Sequence, residues 1–306
     1  MQDRKNNDLK KFLKKSVQVL LTLVILDLLI GGIFKHFYFT QKTGYLYRTT
    51  FAIDSTKANL LVLGSSRAYR HYVPAIFENK LHTTFYTCGR DHCGLIYNAA
   101  IISAILKRVI PKYVIIDINL NELSDNEQDA LLPLLPYRDN PVIYRYITYY
   151  GKFEKYKLIS GMYAYNSTFN TILSAHLSHG ELGLTDDKGY VKLINKMAFH
   201  PKNAFNKKKI IYSRVKILDD LVNNLTQRHI LVTLVISPSY YTFTGEDPMV
   251  PVIKELLHKN KNFRFFNYEN DTAFNGPALF SSDLHLNEIG ANKFSEDLAN
   301  KLVTNN

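Results

Sequence analysis

The sequence predicts an α/β protein, a three-layer parallel sheet of about five strands with a large insertion after the third strand and one amino-terminal transmembrane helix. Three observations predict it. Short, β-branched apolar runs alternate with helical patterns. One gap between such runs is far longer than a single crossover needs. An apolar stretch near the amino end follows a basic cluster.

The strand candidates, in order, are Asn59 to Leu63, Thr83 to Thr87, Tyr113 to Ile118, Ile230 to Ile236 and Phe263 to Asn267. Their alternation with helical stretches argues for a sheet covered on both faces. The stretch from Asn98 to Val109, which ends before Pro111, has the length of a crossover helix, as do Tyr212 to Thr226 and Val250 to Lys259. A last helix runs from about Asn287 to Leu302. Between the third and fourth strands lie roughly 110 residues, so an insertion, about 122–210, must fill the gap. Residues 137–165 of it are rich in Tyr and basic side chains, and Asp187-Lys188-Gly189 is a turn signal. The insertion reads as a partly helical cap over the carboxyl edge of the sheet. Its aromatic side chains chiefly serve packing, with stacking on sugar rings the second reading.

Residues 17–34 (VQVLLTLVILDLLIGGIF) are apolar apart from Gln18, Thr22 and Asp27, and they follow the run KKFLKK. Eighteen residues at helical rise nearly cross a hydrocarbon core. The basic flank predicts that residues 1–16 form a cytoplasmic tail and that everything after Phe34 lies on the far side. No small-x-small cleavage site follows, which favours an uncleaved signal-anchor contacting membrane lipid. Asp27 reads as tolerated drift ahead of contact with a partner helix. Residues 35–57 then form a juxtamembrane linker, and 58–304 the globular domain.

Composition excludes several classes. With 306 residues, 46% hydrophobic, 14 Gly, 10 Pro and 2 Cys, the chain is neither collagenous, disordered nor a disulfide-dense scaffold. The net charge is +11, of which the first sixteen residues carry +4. The rest is spread over helices and loops, so no nucleic-acid partner is expected. Cys88 and Cys93 sit in one apparent loop, where a local bridge and two unpaired thiols are nearly matched readings. No paired His spacing suggests a metal, and neither a P-loop nor G-x-G-x-x-G occurs, so no cofactor is expected.

The first strand runs into LGSSRAYR. Gly64 permits a tight turn at a strand's carboxyl end, where Ser66 can be presented as a nucleophile. The structural alternative is a helix N-cap by Ser65 or Ser66. Near the carboxyl end, Asp283 and His285 stand two residues apart before the last helix, so the carboxylate can fold back to orient the imidazole, with His285 as base for Ser66. Here the alternative is a turn residue and a surface histidine, with Asn287 capping the helix. Arg67 reads either as a contact for an anionic substrate group or as a water-exposed residue at a helix start. His71 reads as helix surface.

Together, the GSSR block after the first strand and the DLHLN block before the last helix resemble the SGNH/GDSL hydrolase superfamily over roughly residues 58–304. The amino-terminal anchor makes the chain most similar to its membrane-bound branch, which acts in cell-envelope polysaccharide acylation as O-acyltransferases or acylesterases. The resemblance implies an oxyanion glycine after the second strand, matched by Gly89 with Gly94 as second choice. It also implies an oxyanion asparagine after the third strand, matched by Asn119 with Asn121 as fallback. Two positions depart from the family pattern: Ser65 stands for the usual Asp, and Asp117 for a glycine. The implied function is serine-dependent ester hydrolysis or acyl transfer, acetyl first, on an extracytoplasmic glycan. A membrane acyltransferase is a candidate partner. The rival reading is a non-catalytic glycan-binding or assembly protein on the same fold.

Overall fold

The computed structural model describes residues 2–42, 44–118, 122–123, 131–177, 188–198, 204–205, 209–243, 249–260 and 262–304. Two compact units divide the chain: Met1–Lys42 with Leu134–Leu182, and Thr43–Pro133 with Gly183–Asn306. Among the described residues the helices are α1 (Gln2–Phe39), α2 (Gly44–Asp54), α3 (Ser66–Arg70), α4 (Pro74–Leu81) and α5 (Leu95–Ile105). They continue with α6 (Pro141–Tyr150), α7 (Glu154–Lys157), α8 (Phe169–Leu177), α9 (Tyr212–Thr226), α10 (Met249–Lys259) and α11 (Glu288–Thr304). The strands are β1 (Leu60–Leu63), β2 (Phe85–Thr87), β3 (Tyr113–Asp117), β4 (Ala204–Phe205) and β5 (Leu231–Ile236), then β6 (Thr242–Phe243), β7 (Phe263–Asn267), β8 (Phe280–Ser282) and β9 (His285–Leu286).

The second unit is an α/β domain built on a five-stranded parallel sheet in the order β2-β1-β3-β5-β7. All four residues of β1 are buried, as a central strand covered on both faces requires. On one face α4 and α11 pack together, and Phe77, Tyr72, Phe294 and Leu298 join Leu60, Val62 and Phe85 in one core. Against α9 lies α5, whose residues are nearly all buried, so its sequence is apolar all round rather than striped. In α9, Ile217, Leu218, Leu221, Val222 and Leu225 form a striped apolar face at helical spacing. Each such side chain contributes about 1.5–3 kcal/mol of burial.

All five predicted strands are present, with ends within two residues of the expected ones. The crossover helix expected from Asn98 instead starts at Leu95, because Gly94 in extended backbone serves as its N-cap. The helices α3 and α4 have no separate periodic signature: one is five residues long, and the other begins at Pro74. Strand order reverses between β1 and β3, so the crevice outside their carboxyl ends is the place where such a sheet gathers ligand chemistry.

The first unit is helical. Its α1 is long and apolar enough to cross a membrane, and that window is almost wholly unburied. Contacts join α1 to α8 and to a 3-10 turn at Tyr163–Thr168. Tyr38 meets Tyr137 and Tyr165 edge to face or tilted, and Asn140 caps α6 by accepting from the Val142 and Ile143 N–H groups. Asp27 is no bystander. Its carboxylate accepts from Ser160 Oγ at 2.7 Å, Gly161 N at 2.6 Å and Met162 N at 3.3 Å, which overturns its reading as sequence drift.

Candidate active site

The turn between β1 and α3 is built around Gly64. Its φ of +148° lies where L side chains rarely go, and a Cβ there would stand 2.7 Å from the Asp117 carbonyl oxygen. Its N–H donates to Asn98 Oδ1 at 3.1 Å, which fixes the turn to the buried face of α5. The chain then enters α3 with Ser66 as first residue. Ser65 occupies the N-cap position without a side-chain cap bond, so the serines are not there as caps.

From the opposite end of the sequence, the antiparallel pair β8 and β9 delivers His285 to this turn. Its Nε2 lies 2.8 Å from Ser66 Oγ, and its Nδ1 lies 3.0 Å from Ser282 Oγ. With Nδ1–H donated to Ser282, Nε2 turns a lone pair toward the Ser66 hydroxyl. Burial, followed by the positive charges of Arg70 and Arg67, pulls the His285 imidazole down to about 4. The ring is therefore neutral near pH 7 and able to accept a proton from the hydroxyl it faces. The bond at His285 Nδ1 expected of the Asp283 carboxylate is made by Ser282. Asp283 is half-buried in the same loop, its carbonyl accepting from Tyr240 N at 2.7 Å, while burial and then the Asp283 charge raise the Tyr241 phenol. Asn287 does cap α11, accepting from Gly290 N at 3.1 Å.

Arg67 and His71 sit elsewhere than in water. Arg67 is 5% exposed; it donates to the Ser237 and Ile118 carbonyls and lies 3.1 Å from Asp117 Oδ1. Three parallel strands, β1, β3 and β5, are thereby tied at their carboxyl ends. Asp117 is fully buried and also accepts from Tyr72 Oη at 2.7 Å; burial pushes its carboxyl up against the pull of Arg67. The reading of Arg67 as water-exposed is thus corrected. So is that of His71 as helix surface: it is fully buried because the chain after the short α3 turns inward. Its Nε2 accepts from Leu286 N at 3.0 Å and its Nδ1 lies 3.1 Å from Ser237 Oγ. An imidazole that accepts at Nε2 carries its proton on Nδ1, so His71 is held neutral, and burial drives its basicity well below the ordinary histidine range.

Gly89 follows β2 closely packed on α3, where a Cβ would come 2.8 Å from the Tyr69 nitrogen. Its N–H donates to Thr87 Oγ1 at 3.2 Å in this structure. Asn119 and Asn121 lie outside the described residues, and Gly94 caps α5. Cys88 and Cys93 are unbridged and buried, and burial pushes both thiols up to about 12. No group of metal-ligating side chains occurs among the described residues. Sequence reasoning missed Ser282, although it stands only three residues before His285, and it missed Ser237, Tyr72 and the buried place of His71, which depend on contacts between segments far apart in the chain. Only the unusual Arg and Asp at two neighbouring strand ends hinted at the buried pair.

No family model matches the chain, and no curated protein matches it. Among solved structures it is similar to a Streptococcus pneumonia protein described as a candidate platelet activating factor, at 12% identity and TM-score 0.44, covering 94% of this chain and 99% of the other. It is also similar to a candidate acylhydrolase from Bacteroides fragilis, at 10% identity and TM-score 0.38, covering 82% of this chain and 89% of that one. A third is an acetyl xylan esterase from the rumen bacterium Butyrivibrio proteoclasticus, at 10% identity and TM-score 0.39, covering 80% of this chain and 63% of the other.

Proposed function

We propose that the protein is a membrane-anchored serine acyl-transfer enzyme that cleaves or transfers an ester-linked acyl group on a glycan outside the cytoplasm. The observation that carries this reading is the 2.8 Å approach of His285 Nε2 to Ser66 Oγ at the carboxyl ends of a parallel sheet. His285 takes the Ser66 proton as Oγ attacks the ester carbonyl. The oxyanion donors that the resemblance implies are the Ser66 and Gly89 N–H groups and Asn119, the Gly89 N–H exchanging its present bond to Thr87. His285 then protonates the leaving alcohol, and water or a sugar hydroxyl takes the acyl group from Ser66. Ser282 fixes the imidazole tautomer, and the Asp283 carboxylate, two residues away, favours the imidazolium as it forms. Arg67 acts on the substrate through its charge and through the strand ends it holds.

The basic residues in the first turns of α1, ahead of its apolar stretch, support a cytoplasmic amino terminus and an outer catalytic domain. The resemblance to envelope polysaccharide enzymes supports the glycan, with a membrane acyltransferase as partner if Ser66 draws its acyl group from one. The test is a fluorophosphonate probe and a chromogenic acetyl ester, followed by acetylated glycans, on wild type beside Ser66→Ala. Labelling and turnover present in wild type and absent in Ser66→Ala are expected. A folded wild type that neither labels nor turns over ester would instead favour a glycan-binding protein.

A further inference from the structure

Residues 160–162 of the first unit are fastened to the apolar helix well inside its hydrophobic stretch. Asp27 accepts from Ser160 Oγ and from the Gly161 and Met162 N–H groups. Gly31 packs on the Gly161 backbone so closely that a Cβ at Gly31 would collide with it, and a Cβ at Gly161 would lie 2.8 Å from the Asp27 carbonyl oxygen. Asp27 stands seven residues before Phe34, which at helical rise is about 10 Å below the end of the apolar stretch. Around this tie, large apolar side chains face outward: Ile159 is 77% exposed, Tyr156 60% and Phe153 57%. Lys152, Lys155 and Lys157 are interleaved with them, and Lys155 Nζ lies 4.8 Å from the Tyr156 ring centroid. Across residues 141–173 there are four cations and a single carboxylate, Glu154.

We infer that residues 149–162 lie in the lipid leaflet that surrounds the carboxyl-terminal half of α1, with Phe153, Tyr156 and Ile159 among the acyl chains and Lys152 and Lys155 at anionic headgroups, Lys157 being paired with Glu154 at 2.8 Å. This rests on the reading of α1 as a retained membrane anchor. Whatever solvent surrounds α1 at Asp27 also surrounds the segment bonded there, so the occupant of this surface is the bilayer that α1 crosses. Aromatic and basic side chains together are the composition that the interface between headgroups and acyl chains selects, the rings sitting below the phosphates and the lysine stems reaching back up to them. Asp27 itself, costly in lipid when alone, is satisfied there by two backbone N–H groups and a hydroxyl. The anchor is thereby an integral part of a folded unit rather than a detachable leader.

The chain contains no Trp, so a single introduced Trp reports its own surroundings. Full-length protein carrying Ile159→Trp, Leu21→Trp or Tyr212→Trp is placed in nanodiscs of phosphatidylcholine brominated near the headgroup end of the acyl chains, with or without phosphatidylglycerol. Blue-shifted, strongly quenched emission is expected for Ile159→Trp, and unquenched emission for Tyr212→Trp on α9. Quenching at Ile159→Trp should increase with phosphatidylglycerol, and Lys152→Gln with Lys155→Gln should remove that increase. If Leu21→Trp is quenched but Ile159→Trp emits as in water, the anchor stands and the interfacial segment is overturned. If Leu21→Trp is itself unquenched, the anchor reading fails and takes this inference with it.

Discussion

His285 meets Ser66 with one ring nitrogen and Ser282 with the other, at 2.8 and 3.0 Å, so a hydroxyl rather than bulk water settles which nitrogen carries the proton. That geometry gives a hydroxyl the ring-orienting task that commonly falls to a carboxylate, and the proposed mechanism leaves Asp283 only the stabilisation of the ring's charge once it has accepted a proton. Ser282→Ala removes the first. Loss of one neutral hydrogen bond, about 1 kcal/mol, corresponds to a drop in kcat of somewhat under tenfold. Asp283→Asn is expected to lower kcat further, short of the loss in Ser66→Ala. Turnover of an acetyl ester by the three variants decides it, and equal activity in Asp283→Asn and wild type would remove Asp283 from the mechanism.

Ser66→Ala and His285→Ala should each abolish nearly all turnover, and the double variant should cost little more, because members of one catalytic unit are strongly non-additive. Ser65→Ala is expected to be mild, since its side chain makes no cap bond at α3. Circular dichroism of each variant guards against loss of fold. Full turnover by folded Ser66→Ala would end the serine mechanism.

The pH dependence follows from the burial of the base. Because the imidazole is active only when neutral and its folded value lies near 4, the acid limb of kcat/KM should fall near pH 4, below the usual histidine value of 6.5. Arg70 is the largest charge lowering it, so Arg70→Gln should move the limb upward. Stability runs in the same sense. An imidazole depressed on folding contributes fully above its unfolded value of 6.5, and that contribution is lost as pH falls from there toward about 4. His71, also depressed by burial, adds to the same acid-side loss. A limb in kcat/KM at or above pH 6.5 would contradict this electrostatic account.

How much of this was legible in the sequence depends on the range of the interaction. The β strands announce themselves because buried runs such as Leu60–Leu63 and residues 114–116 are wholly apolar, and Gly64 with Ser66 marks a strand end within a single tetrapeptide. The buried set behind the site carries no such local signature. Arg67, Asp117, Tyr72, His71 and Ser237 are polar residues, of which Arg67 has a water-exposed reading and His71 a surface reading in the sequence. They are inside because each satisfies another across separate strand ends. Asp27 is the same case in the first unit, its partners standing more than 130 residues away.

His71 offers a direct check of that buried set. His71→Ala would leave the Leu286 N–H without its acceptor beside β9, an unpaired buried donor costing about 1–3 kcal/mol, in addition to the cavity. A lower melting temperature and a lower kcat are expected together, because Leu286 adjoins His285. His71→Asn can restore an acceptor and should recover part of both. If kcat is unchanged while stability falls, His71 supports the fold without positioning the base.

The two adjacent glycines of α1 make an internal control for the first unit. A Cβ on Gly32 meets nothing within 4 Å, whereas one on Gly31 strikes the Gly161 backbone, which cannot rotate aside as a long side chain would. Overpacking of this kind typically costs 1–3 kcal/mol. Gly31→Ala and Gly161→Ala should therefore loosen the segment held by Asp27, and Gly32→Ala should leave it in place. The measurement is limited proteolysis of full-length protein in nanodiscs, following cleavage after Lys152, Lys155 and Lys157, which lie exposed beside the tie. Faster cleavage in Gly31→Ala and Gly161→Ala, with Gly32→Ala matching wild type, is expected. Equal cleavage in Gly31→Ala and Gly32→Ala would mean that α1 and residues 160–162 do not make the backbone contact described.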